Sequence, residues 1–286
     1  MHLENGNMTT GVFFHEVFRG KEWPMIGDKF RNFPAVMSRA LALPGVKLLV
    51  PNKVPQDLLL QVHSPDLIRD LNQAWYRDGA LYSAGGCVQA VEAILSGRLE
   101  NALVFAVAAG HHAERAFAWG GTYASCAGPA VLRAREISGP ARFAIIDTDR
   151  HHGNGTRDIF RDDPNVLHVC FCHQNRIEGD GTKVCVNVVR PMTDEGYLAA
   201  VREAFAPRLV EFGPDLIFHN LGHDTCDFDY GDLGLTRDFF PRLVREVSEW
   251  AREVCRGRYV VVTQGGKLAE VAEYIFPRII EILAGE

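Results

Sequence analysis

The sequence predicts an α/β protein: a single domain over residues 1–286 with a parallel sheet and helices on both faces. Three observations carry this reading. Apolar runs of strand length alternate with amphipathic stretches of helix length along most of the chain. Several of the runs are continuously Val/Ile/Leu-rich rather than alternating, as strands buried on both sides are. No Pro/Ser-rich linker, low-complexity stretch or break in composition divides the pattern.

Taken in chain order, Lys-Leu-Leu-Val at 47–50 is the first expected strand, and a helical pattern follows at 84–95. Leu-Val-Phe-Ala-Val-Ala at 103–108 is the next strand and 130–136 the next helix. Three strands come close together at 143–147, 166–172 and 184–188. A long helical pattern at 195–211 leads to a strand at 216–220, and a helix at 237–252 leads to Tyr-Val-Val-Val-Thr at 259–263. The helical pattern at 268–283 closes the series.

Composition excludes several classes. Lys and Arg number 30 against 36 Asp and Glu, a net charge of −6, so the basic face of a nucleic-acid binder is not expected. No segment approaches the roughly 20 apolar residues of a membrane span. The stretch 1–11 lacks a basic region followed by an apolar block, so no signal peptide is expected. Seven scattered cysteines without a Cys-x-x-Cys pair point to a reducing, cytoplasmic compartment. Cys170 and Cys172 lie two apart in a strand-like run, on one face, and are read as buried thiols.

In open α/β sheets ligands collect at the carboxyl ends of the strands. Four expected strands end in titratable or glycine-flanked polar residues: Gly110-His111-His112, Asp147-Thr148-Asp149-Arg150-His151-His152-Gly153-Asn154-Gly155, Gly222-His223-Asp224 and Gln264-Gly265-Gly266-Lys267. Asp149 and His151, two apart, face the same way in an extended segment. With Asp224 they make a three-ligand set, the arrangement of catalytic zinc with one position left open. Taken singly, Asp149 or Asp224 reads as a cap or a surface charge; the set reads as ligands. The lone histidines His2, His15, His63, His168, His219 and His223 are read as surface or satisfied core groups. The adjacent His111 and His112 suit proton transfer, and Asp147 and Asn154 suit holding their tautomers.

These residues resemble the histone deacetylase family, in the wide sense that includes bacterial acetylpolyamine amidohydrolases and acetoin-utilisation proteins. The resemblance rests on Gly-His-His-Ala at 110–113, the string at 147–155 and Gly-His-Asp at 222–224. Weaker matches are Val-His-Ser-Pro at 62–65, 84–91, 162–167 and Gly265-Gly266. Asn154, where many members carry Asp, is similar to the class II-like and bacterial branches.

The resemblance implies an arginase/deacetylase-like fold and a zinc-dependent amidohydrolase removing an acetyl or other acyl group from an N-acylated amine. It implies Asp149, His151 and Asp224 as zinc ligands, His112 as general base and then acid, and His111 beside it. Asp147 would orient His111, and Asn154 would contact His112. A structural K+ site is also implied, its side-chain ligand falling on Phe171. Asp/His/Asp ligands suit iron or cobalt as well as zinc.

Three departures stand out. Lys267 occupies the position of the family's oxyanion-stabilising Tyr, either replacing it, anchoring a substrate carboxylate, or pointing to solvent. The segment between His173 and Val184 is short, which predicts an altered tunnel entrance. Trp23-Pro24-Met25-Ile26-Gly27-Asp28 replaces the family's His-Pro-Glu-x-Pro string. Two alternatives stay open: a metal enzyme of this fold acting on an anionic substrate or by a lyase step, and a non-catalytic acyl-ligand binder. The expected partner is an acylated amine, with no nucleic acid or membrane; a homo-oligomer is left open.

Overall fold

The computed structural model describes residues 9–139 and 141–286; His2 and most of the stretch 1–11 lie outside them. Among the described residues, nine strands form one sheet: β1 Thr10–Phe13, β2 Val46–Leu49, β3 Asn101–Val104, β4 Phe143–Asp147, β5 Val166–Cys172, β6 Arg176–Glu178, β7 Lys183–Asn187, β8 Leu216–Leu221 and β9 Tyr259–Thr263. Their spatial order is β2-β1-β3-β9-β8-β4-β5-β7-β6. Every pairing is parallel except β6 with β7.

Strands β3, β4, β5, β8 and β9 are buried along their whole length, as their unbroken apolar character requires. Helices cover them, with Arg77–Leu95 packed on Ala127–Ser138 and Phe239–Cys255 packed on Ala269–Leu283. The edge strand β2 keeps its lysine exposed, which discourages further pairing.

The apolar run at 103–108 is a strand only to Val104; beyond it the chain stays buried but turns, with Ala108 at a φ of 50°. That turn delivers His111 and His112 to the end of the sheet. The pattern at 195–211 divides into Asp194–Ala204 and Ala206–Phe212, because Pro207 cannot donate to a continuing helix. The segment between His173 and Val184 supplies β6, an antiparallel edge strand. It does not line the pocket described below, so the expected effect of its length on an entrance has no counterpart there.

The topology explains why the polar strand ends meet. Strands β3, β9, β8 and β4 are consecutive neighbours, so the segments after Val104, Thr263, Leu221 and Asp147 emerge side by side.

Candidate active site

Three ligand-type side chains converge at this edge. His151 Nδ1 lies 3.1 Å from Asp149 Oδ1 and 3.1 Å from Asp224 Oδ2. One ring nitrogen carries at most one proton and cannot donate to both oxygens. Asp224 Oδ2 has no hydrogen-bond partner among the described residues. An equidistant nitrogen and an unpartnered buried carboxylate oxygen fit three donors around a cation. Backbone N–H groups set the rest: Gly265 donates to Asp149 Oδ2 at 2.8 Å, and Arg150 donates to Asp224 Oδ1 at 3.2 Å.

The electrostatics point the same way. Burial, reinforced by the Asp149 charge, pushes Asp224 up to about 7. Burial also works to raise Asp149, but the His111 charge and the His151 hydrogen bond hold it well below the ordinary carboxylate range. The two carboxylates raise His151 to about 10. Two buried carboxylates side by side need positive charge, and a divalent ion would supply it without protonating either.

Beside this trio stand the two histidines. His111 Nδ1 donates to Asp147 Oδ2 at 2.9 Å, and its Nε2 is 3.6 Å from Asp149 Oδ1. Burial opposes protonation of His111, yet Asp147 and Asp149 together raise it to about 9. His112 differs. Burial and then the His111 charge lower it to about 4, although Asn154 works against both.

Its tautomer follows from a chain of three residues. Asn154 Nδ2 donates to Glu114 Oε1 at 2.5 Å, which fixes the amide so that Oδ1 faces His112. His112 Nδ1 therefore carries the proton that it donates to Asn154 Oδ1 at 2.6 Å. Nε2 keeps a free lone pair, as a general base requires.

The pocket over these groups encloses about 90 Å³. That is far below the roughly 300–1,000 Å³ of common ligand clefts and suits a small group rather than a whole ligand. Its walls come from Met25 and Ile26, the 119–122 loop, and Tyr230. Trp119 lies 4.3 Å from His112, ring centroid to ring centroid. Gly120 permits this approach: at a φ of 62°, a β-carbon there would stand 2.8 Å from His112 Cδ2. The Trp23–Asp28 segment, which lacks the family string, thus still contributes to the wall.

Lys267 is the one expected site residue that the structure does not bring in. Its side chain is exposed and outside the pocket lining. The reason is Asp229, whose Oδ2 accepts the N–H groups of Lys267 at 2.9 Å and Leu268 at 3.1 Å and holds this turn against the loop after β8. The Tyr230 ring takes the place beside the glycine pair. Its hydroxyl oxygen accepts from the Gly266 N–H at 2.9 Å, leaving the hydroxyl proton to donate elsewhere. Burial, with the Asp224 and Asp149 charges, raises Tyr230 above its ordinary value, so it stays protonated.

Sequence reasoning missed Tyr230, Glu114 and Lys29. Glu114 directly follows the His-His-Ala string, and Tyr230 lies six residues after Asp224; proximity was their only signal. Lys29 had none. It is buried and its Nζ donates to the Gln264 carbonyl at 2.5 Å, bracing the turn after β9 from behind. Burial lowers it to about 8 against the pull of Asp229, Asp149 and Asp224.

The position expected to complete a K+ site is also corrected. Register pairs Asp147 with Cys170, and Asp147, His168 and Cys170 bring ligand atoms within 4.8 Å of one another. Phe171 faces the other way, its ring 5.6 Å from that of Tyr197. A thiol, not a hydroxyl or a phenyl ring, flanks Asp147. Among the lone histidines, His63 is satisfied: it receives the Ser125 N–H on Nε2 at 3.0 Å and donates from Nδ1 to the Glu114 carbonyl at 2.8 Å. His223 is not, for neither ring nitrogen has a hydrogen-bond partner among the described residues.

Comparison with known proteins gives concordant results. The histone deacetylase domain family matches residues 72–283. A protein of Archaeoglobus fulgidus named "Probable deacetylase" is 30% identical, covering 97% of this chain and 87% of its own. Histone deacetylase 4 of Caenorhabditis elegans is 29% identical over 75% of this chain but only 27% of its own length. A polyamine deacetylase of Mus musculus is 29% identical over 72% of this chain and 33% of its own. The chain thus spans a quarter to a third of those two relatives. In fold, the crystal structure of the HDA15 HD domain matches with a TM-score of 0.83 at 23% identity, covering 98% of this chain and 89% of that one.

Proposed function

The chain belongs to the histone deacetylase family, and from that premise we propose that it is a zinc-dependent amidohydrolase removing a small acyl group, acetyl foremost, from an N-acylated amine. The observation that carries the reading is the His151 nitrogen equidistant from two buried carboxylates, with a neutral His112 beside it.

Zinc held by Asp149, His151 and Asp224 would supply Lewis acidity, polarising the amide carbonyl and lowering the pKa of water. The protein's residues do the rest. His112 Nε2 takes the proton of the attacking water, and Asn154 with Glu114 holds the ring in the tautomer that allows it. His111, paired with Asp147, places positive charge beside the reacting atoms. Tyr230 donates its hydroxyl proton in a hydrogen bond to the carbonyl oxygen as that oxygen gains negative charge. His112 then returns its proton to the departing amine nitrogen, and the amine leaves. The small pocket limits the acyl group, and its apolar walls exclude bulk water.

An amine-bearing substrate is the favoured class. The cleft continuing outward from His151 and Tyr230 sets Arg150 and Arg190 against Asp229 and Asp232. That balance gives an anionic substrate no advantage. The test is amine release from acetyl-lysine peptides and acetylated polyamines by the zinc-loaded protein. Release from one of these classes is expected; full zinc occupancy with none from any of them contradicts the proposal.

A further inference from the structure

A second cluster of ligand-type side chains lies apart from the zinc trio. Cys170, Cys172 and Cys185 form a buried thiol group of their own. Cys170 and Cys172 sit two apart on β5, and Cys185 stands on β7 in register with Cys170. The loop after β4 adds an imidazole: His152 Nδ1 lies 3.5 Å from Cys185 Sγ and 3.8 Å from Cys172 Sγ. All three donor atoms lie within 4.8 Å of one another.

These separations lie within reach of sulfur hydrogen bonds, and they also match a coordination polyhedron. For Zn–S near 2.3 Å and Zn–N near 2.05 Å, a tetrahedral site sets sulfur and nitrogen about 3.6 Å apart. We propose that His152 Nδ1, Cys172 Sγ and Cys185 Sγ form a second metal site for a thiophilic divalent cation such as zinc, separate from the Asp149/His151/Asp224 trio.

The surroundings suit such an ion. Two thiolates and a neutral imidazole cancel the charge of a divalent cation, and N–H donors support the sulfurs. Arg157 donates to Cys185 Sγ at 3.3 Å, and the Gly153 amide holds the neighbouring, non-ligand Cys170 Sγ at 3.4 Å. His152 and Cys185 border a polar cleft of about 450 Å³ lined also by Glu114, Arg157 and Glu178. The cleft gives the ion a path in and water for the fourth position. Three elements distant in sequence, β5, β7 and the loop after β4, would be tied together. Because His152 directly follows His151, the second ion would also fix the loop that carries a ligand of the first.

Softness of the donors separates the two sites experimentally. Loading the full chain with Co2+ under reducing conditions should produce a sulfur-to-cobalt charge-transfer band in the near ultraviolet, since the Asp/His/Asp trio contains no sulfur. The band should persist in Asp149→Ala/Asp224→Ala and vanish in Cys172→Ser/Cys185→Ser. His152→Ala, which removes a half-buried side chain, should weaken the band if the double serine variant does not fold. Zinc per chain should be two in the unaltered protein and one in each double variant. Absence of the band from cobalt-loaded unaltered protein would overturn the proposal, as would a Cys172–Cys185 disulfide in protein kept reduced.

Discussion

The Tyr230 hydroxyl accepts a hydrogen bond from the Gly266 amide at 2.9 Å, which ties the loop after β8 to the turn after β9. This contact brings a protonated phenol beside the turn that carries Lys267, and it does so from the loop after a different strand. Tyr230→Phe should therefore lower kcat by about 10²–10³, the usual cost of one oxyanion donor, with zinc content unchanged. Lys267→Ala should stay within about twofold of the parent enzyme, because its side chain is in solvent. Steady-state kinetics on both variants separate the roles.

Burial and the His111 charge set the pH at which the base fails, and the residue on Nδ1 adjusts it. His112 lies near 4 because burial and the His111 charge outweigh the Asn154 hydrogen bond. Its lone pair is therefore available above that value, and the limb of kcat/KM that belongs to His112 should lie near 4 in metal-saturated protein. Asn154→Asp places a carboxylate on Nδ1, which favours the imidazolium and should move the acid limb up by about 1–3 pH units. A pH–rate profile of the variant superimposed on the parent's would contradict this tautomer chain.

Gly265 leaves no room for a side chain. A β-carbon there would stand 2.5 Å from Asp149 Oδ2 and 2.6 Å from the Tyr230 hydroxyl. Gly265→Ala should weaken metal affinity about 10–100-fold, as displaced ligand partners do, while the thermal unfolding transition remains cooperative. Chelator competition measures the first and calorimetry the second.

Buried neutral histidines make the fold acid-sensitive. Burial lowers His63 and His168 to about 4 and His219 to about 3. Unfolded, each titrates near 6.5, so their full stability is present above that pH. Below it the unfolded chain binds protons that the folded chain refuses. Stability should fall by up to about 1.4 kcal/mol per pH unit for each such ring, until the pH reaches the folded values. The melting temperature should decline steadily from pH 6.5 to 4.5; a flat profile would contradict neutral burial.

Particular residues show what the sequence made legible and what it hid. The central strands could be read because β4, β5, β8 and β9 are buried on both faces and carry almost no polar interruption. β1 escaped notice because its four residues include Gly11, and β6 because two of its three residues are charged. The helix Arg77–Leu95 begins seven residues before the expected start. The strand-end positions of His111, His112, Asp149, His151 and Asp224 were legible because local spacing and strand endings placed them. Tyr230 and Cys185 were not, since each reaches its partners across strands, and no local period encodes that meeting. Lys267 misled for the converse reason: its position in the string was informative, but Asp229 decides where its side chain points.

The central claim is hydrolysis that depends on the metal held by Asp149, His151 and Asp224. The most direct measurement is amine release from an acetylated lysine peptide or polyamine by protein stripped with a chelator and then reloaded with zinc, alongside Asp224→Asn treated identically. Activity should vanish on stripping, return on reloading the parent, and fail to return in Asp224→Asn. Release that survives complete stripping, or that Asp224→Asn supports at the parental rate, would contradict the account.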